Sequence, residues 1–364
     1  MFDIEVSLHH YKPFNHIQRG RLQLLLSGKD CNNQFINALG RIAVKRIPSY
    51  AFPPELIKIE KIKPESGYHD SIPFNYDMMR KRIKNTPIVG VDPGFAFLHE
   101  KYWKNVDYLS PDREVHEQEK RIEAFIDAKN TADEGNDEQI LDVTTNDMKI
   151  YIDNELTEIY SKEYPFLIIS LKPKEAFKCS MRAVLGLGIN ESSWDACSRY
   201  WFDQETIPDK TIFSCESSSR FDEFTLISRT LEYFRIRTNQ LKDDIQRLYL
   251  LEEEKTNDFH ITIVDEDHTM GEPINYELQS HPDIISSSIS KPDHLVRNIV
   301  IKITVDKPDK MLSAIMESID NLIKKIDIFE EKFNKIEGAG KNKTQQDVYQ
   351  KEDLKKVTKS KKKN

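Results

Sequence analysis

The stretch Val264-Asp-Glu-Asp-His-Thr-Met-Gly-Glu-Pro-Ile-Asn-Tyr-Glu-Leu278 decides how the rest of the chain is read. Just ahead of it, Phe259, Ile261 and Ile263 alternate with His260, Thr262 and Val264, the two-residue period of a half-buried strand. Asp265 to Asp267 make an acidic turn, and Ile274 and Leu278 then fall on one face of a short helix. Thr269 and Glu272 have the spacing of a capping box, which places Pro273 at the fourth helical position. A later start, with Pro273 in the first turn, is the alternative. Either way the order is strand, tight acidic turn, helix.

The same order occurs near the start. Arg21 to Leu26 is a strand and Ser27 to Asn33 a polar turn. Phe35 to Ile47, with Phe35, Leu39, Ile42 and Val44 apolar, is an amphipathic helix ending before Pro48. A long helix follows each unit. From Phe224 to about Glu252, Phe224, Leu231, Thr238 and Ile245 recur every seven residues, interleaved with Ile227, Phe234, Leu241 and Leu248. From Leu312, the sets are Leu312, Ile319, Ile326 and Phe333 with Ile315, Leu322, Phe329 and Ile336. Met316 and Ile323 widen that stripe. Two such seams predict two related halves whose long helices pack across a pseudo-twofold axis. Joining them in one chain makes the pairing intramolecular, at an effective concentration on the order of millimolar. The competing reading is a homodimeric coiled coil, against which Thr238 and the large Phe residues argue.

Several motifs carry a resemblance to one family. Asp267-His268-Thr269-Met270-Gly271-Glu272 is similar to the Asp-His-Thr-Leu-Gly-Asn run of the small α-like assembly subunit of multisubunit DNA-dependent RNA polymerases, the archaeal L type. Asn37-Ala38-Leu39-Gly40-Arg41, followed by Ile47-Pro48-Ser49-Tyr50-Ala51, resembles the Asn-Ala-Leu-Arg-Arg helix of the larger, D-type subunit. Gly40 stands where the family usually has the first Arg, and Gly costs about 1 kcal/mol in a helix interior. Arg41 and Arg46 are either part of the assembling face or an ordinary solvated one. Met78 to Ile88 resembles the family's Arg-Leu-x-x-x-Pro-Ile segment as large-DNA-virus members carry it, and Asp142 to Asp147 resembles its Val-Thr-Ser-x-Asp strand entry. Lys291 to Leu295 resembles the Pro-His-Pro-Leu turn, with Asp293 for the second Pro.

Between the halves, Phe52 to Lys63, Phe166 to Leu171 and Pro173 to Ile189 are strands. Asp112 to Asp142 holds eleven acids and four bases and reads as a solvated helix and loop. Gly186-Leu-Gly-Ile-Asn190 lacks the third Gly, the Lys and the helix start of a phosphate-binding loop. Trp194 and Trp201 are core or interface anchors. The expected organisation is α+β. Residues 1–50 and 213–255 form a D-like dimerisation module, 51–212 a mainly β insert domain, 256–337 an L-like module and 338–364 a basic tail.

Composition sets the outer limits. With 31% charged and 38% apolar residues, the 364-residue chain suits about two cores. No apolar run approaches the ~20 residues of a membrane span, and Met1 to His10 reads as no secretory signal. Cys31, Cys179, Cys197 and Cys215 form no Cys-x-x-Cys pair, which argues against zinc and disulfide scaffolds. Net charge is -8, but the 338–364 tail carries nine Lys against three acids. The remaining body is therefore too acidic to wrap DNA by itself.

The resemblance implies a non-catalytic assembly platform within a nucleotidyltransferase complex. Its paired halves would hold the two largest polymerase subunits, which carry the active centre, and the insert would contact the second-largest subunit and a small zinc-binding subunit. DNA would be met only through the complex. Asn37, Leu39, Arg41, Arg46, His268, Thr269, Gly271 and Glu272 would form the subunit-assembly helices, with no catalytic residue, cofactor or metal in this chain. The fused arrangement resembles that of large DNA viruses, implying virion and host cytoplasm. Two other readings are a coiled-coil interaction protein without polymerase partners and a metal enzyme using His268 with Asp265 and Asp267.

Overall fold

In the computed structural model the described residues are 2–13, 20–70, 75–97, 109–110, 115–133, 139–204, 207, 209–252, 254–293 and 295–336. His294 and the basic tail therefore lie outside them. The first strands are β1 (Glu5–Lys12) and β2 (Arg21–Ser27), leading into helix α1 (Asn33–Lys45). A separate lobe follows: β3 (Ser49–Ala51), β4 (Ile57–Glu60), β5 (His69–Asp70), α2 (Tyr76–Lys84), β6 (Ile122–Lys129), β7 (Leu141–Thr144), β8 (Met148–Ile152), β9 (Glu155–Leu156), β10 (Leu167–Leu171) and β11 (Glu175–Gly186). The chain then returns through β12 (Cys197–Asp203), β13 (Lys210–Ser217) and the long α3 (Glu223–Leu251). The last part is β14 (Asp258–Val264), α4 (His268–Gln279), β15 (Ile284–Ser290), β16 (Asn298–Val305) and α5 (Met311–Asn334). No helix among these residues is long and apolar enough to cross a membrane.

Two antiparallel sheets have matching topology. The first runs β1-β2-β13-β12 and the second β14-β16-β15. If β2 is set on β14, then β13 falls on β16, β12 on β15, α1 on α4 and α3 on α5. Each half is thus strand, helix, two strands, long helix. The first half differs by the edge strand β1 and by the lobe inserted between α1 and β12. One continuous apolar core joins the halves, from Ile4 and Leu22 through Phe234 and Ile261 to Phe333. The lobe has its own core, built on β11 with Ile57, Ile83, Ile122, Val143 and Phe177.

The long helices α3 and α5 pack against each other in opposite directions. Phe224 lies 6.1 Å from Phe333, Arg235 pairs with Glu330 and Lys242 with Asp320. Phe224, Ile227, Leu231, Phe234, Leu241 and Ile245 are buried, as are Ile315, Ile319, Leu322, Ile326, Phe329 and Phe333. Leu312 is half-buried against the core, beside the fully buried Met311. Thr238 is also buried, its hydroxyl donating to the Phe234 carbonyl at 2.7 Å. Leu248 is a correction: it is 40% exposed, and Tyr249 takes the inward place. A straight helix has 3.6 residues per turn, so its stripe drifts about 20° per heptad away from a strict seven-residue repeat. By the fourth heptad the buried set has become Leu241, Ile245 and Tyr249.

Other expectations are corrected as well. The acidic segment is not a helix where it crosses 122–129. Ile122, Ala124 and Ile126 point into the lobe core and β6 pairs with β11. The insert does not extend to residue 212, because β12 pairs with β13 in the first half's sheet. Near Gly186 the loop is closed by Trp194, whose indole N–H donates to the Val184 carbonyl at 3.0 Å.

Glu223, the first residue of α3, is fully buried, and its Oε1 has no hydrogen-bond partner. Tyr11 donates to its Oε2 at a long 3.5 Å. Burial above all, with the charge of Asp222 adding to it, pushes the carboxyl up to about 7. Between the ordinary carboxylate pKa and about 7, the folded chain holds a proton that the unfolded chain has lost. Stability therefore falls as pH rises through that window. Glu223→Gln should remove this slope, gaining on the order of 2 kcal/mol relative to the parent between pH 5 and pH 8. Denaturant unfolding at the two pH values measures it; an unchanged slope would mean Glu223 is already ionised at pH 5.

Candidate assembly site

The two motif-bearing helices meet. Helix α1 packs on α4, and a groove of about 350 Å³ opens between them. Asn33, Gln34, Asn37, Ala38 and Arg41 line it from α1, His268, Thr269 and Glu272 from the first turns of α4, and Phe202 from β12.

Local chemistry explains why each helix starts where it does. Asn32 caps α1 by accepting the Phe35 N–H at 2.8 Å. On α4 the cap is Asp267, which accepts the Thr269 N–H at 2.8 Å. The expected capping box on Thr269 and Glu272 is therefore replaced by an earlier start, and Pro273 lies inside the helix. Glu272 instead faces His268, with Oε1 3.0 Å from Nδ1. Among the described residues no cluster of three His, Cys, Asp or Glu side chains is placed to share a metal ion.

Gly40 also has a physical reason. A Cβ there would lie 2.1 Å from the Tyr200 ring, so the absent side chain lets β12 close onto α1. The Tyr200 hydroxyl donates to Asn37 Oδ1 at 2.7 Å and fixes the side chain that faces the groove. The family's first Arg has no room at this position.

The eight expected assembly residues divide in two. Arg41 is exposed and Asn37, His268 and Glu272 are half-exposed at the groove. Leu39 lies in the core, Thr269 is nearly covered, and Gly271 is pressed against Ile289 and Ile299. Arg46 is neither solvated nor on the groove. It is buried at the end of α1, its Nη2 3.2 Å from Glu266 and 3.3 Å from Asp267 of the other half. Arg237 from α3 reaches the same Glu266 at 2.7 Å, so a fully buried carboxylate holds two guanidiniums. Burial raises the Asp267 pKa, but the Arg46 charge and the Thr269 hydrogen bonds outweigh it and hold that carboxyl below its usual value. In the corresponding turn of the first half, Asp30 meets Lys325 of α5 at 2.9 Å, and Lys325 also binds Glu277 of α4 at 2.7 Å. Each long helix thus sends a cation into the β–α turn of the opposite half.

Residues 258–332, from β14 to the end part of α5, match the model of the RNA polymerase Rpb3/Rpb11 dimerisation domain. The chain is also similar to a DNA-directed RNA polymerase subunit of Acanthamoeba polyphaga mimivirus. The two are 24% identical over 332 residues, covering 84% of this chain and 88% of that one. The second half of the chain is thus similar to an RNA polymerase dimerisation domain. The match begins at β14 and contains the groove-lining turns of α4 and most of α5.

Sequence reasoning missed Phe202 and the Gly40–Tyr200 contact. Both come from β12, more than 150 residues from α1, and no local pattern links them.

Proposed function

We propose that this chain is the fused assembly platform of a viral multisubunit DNA-directed RNA polymerase, nucleating association of its two largest subunits. One observation carries this reading: both β–α units stand in one chain and present their helices to a shared groove, with Arg41, His268 and Glu272 at its surface. A partner entering there would touch both halves at once, so it would bind only the correctly paired form. The separate lobe on β11 is free to take the second-largest subunit and a small zinc-binding subunit. DNA is met only through the complex, in the virion and the host cytoplasm. Among the described residues the long helices bury most of their apolar stripes in the chain's own core, which argues against a separate coiled-coil partner.

Arg41→Glu tests the groove. Arg41 is exposed, so stability should change by no more than about 0.5 kcal/mol. Capture of the two largest subunits by the tagged chain should fall at least tenfold. Undiminished capture would assign Arg41 to the solvated surface.

A further inference from the structure

The matched topology exposes a difference between the halves. In the first, the outer edge of β2 is covered by β1, antiparallel from Glu5↔Ser27 to Lys12↔Arg21. In the second, the strand in the same place, β14, pairs only with β16. Among the described residues no hydrogen bond reaches the outer N–H and C=O groups of residues 259–264. Sheets usually blunt such edges with bulges, Pro or Lys. The other three edge strands of these two sheets follow that practice: β1 is irregular between Leu8 and His10, β12 between Cys197 and Arg199, and β15 between Ile284 and Ser286. Strand β14 keeps unbroken register through all seven residues, Asp258↔Thr304 to Val264↔Asn298, and contains neither Pro nor Lys.

We propose that the outer edge of β14 is the docking site for an extended segment of another polymerase polypeptide, added antiparallel as β1 is added to β2. This rests on the assembly reading above. The edge is continuous with the groove, since β14 runs through Asp265–Asp267 directly into the groove-lining turn of α4. Its surroundings specify the segment. At the groove end, Val264 is 59% exposed, and in the loop that enters β16 Val296 is 45% and Leu295 95% exposed. Arg297 ties this loop to β14 by donating to the Asp265 carbonyl at 3.0 Å. That end takes an apolar side chain. Thr262 with Val300 takes a β-branched one, and the cross-strand pair His260 and Lys302 takes a carboxylate. The occupant is therefore an alternating strand, apolar at one end with an acidic residue near its middle.

Hydrogen–deuterium exchange on the free chain and on the chain within purified polymerase tests this. In the free chain about half the amides of 258–264, the outward-pointing ones, should exchange fast. In the polymerase they should slow at least tenfold. Thr262→Lys with Val264→Lys, both at exposed positions, should leave the free chain's melting temperature unchanged and reduce polymerase yield at least fivefold. If the two large subunits accompany the chain but β14 exchange is unaltered, this inference fails and the assembly reading stands. If the large subunits do not accompany it, both fail. Protection that rises with concentration of the free chain, together with a doubled mass, would mean that a second copy fills the edge and would also overturn the proposal.

Discussion

Replacing Leu231 and Ile319 together with Asp will abolish cooperative unfolding of the chain and its recovery in polymerase. Both side chains are fully buried, one on each long helix. Removing each apolar side chain from the core forfeits about 2–3 kcal/mol. Each new carboxylate must also either stay unsolvated among apolar groups or open the helix pair to water. Together these effects consume most of a total stability of roughly 5–15 kcal/mol. Circular dichroism during thermal denaturation reads the outcome. A sharp transition within a few degrees of the parent would mean that these positions are not where the halves are held. The control is Leu248→Asp. Leu248 stands in the interleaved heptad series of the same helix but is exposed, so the change should shift stability by less than about 0.5 kcal/mol.

Glu266→Ala is the second large effect. It takes from Arg46 and Arg237 the carboxylate they share, one bond coming from the end of α1 and the other from α3. Losing one partner of a buried ion pair typically costs about 3–5 kcal/mol, because the remaining charge is left desolvated. Asp267 stays beside Arg46, which places the expected loss near the lower end. The exposed pair Arg247–Asp244 offers the contrast, since both side chains are largely solvated and Arg247→Ala should cost less than about 0.5 kcal/mol. Urea unfolding of the two variants reports the difference; equal small losses would show that Glu266 is reached by water. In the sequence Asp265-Glu266-Asp267 reads only as an acidic turn, and its middle residue is the one of the three that the fold buries most completely.

That case marks the general boundary of what could be read in advance. The β–α units and the inward positions of the long helices were legible because they are local: a period of two, a turn, then a period near 3.6. The strand in the acidic insert was hidden by its charges, although Ile122, Ala124 and Ile126 already alternate. Strands β1 and β12 were unread because most of their side chains are at least partly exposed and little apolar alternation marks them. The candidate groove was half legible. Its two helices carried motifs, but their meeting, the Tyr200 contact that requires Gly40 and the exchange of cations between halves depend on pairs far apart in sequence. The α4 cap was misplaced by two residues because Asp267 competes with Thr269 for the same role, and the acid nearer the strand took it.

The central claim is that one chain supplies both halves of the assembly platform. Quantitative mass spectrometry of polymerase purified through a tag on this chain measures it directly. The account predicts one copy of the chain for each copy of the two largest subunits. Two copies per polymerase, or a tagged chain recovered without either large subunit, would contradict it.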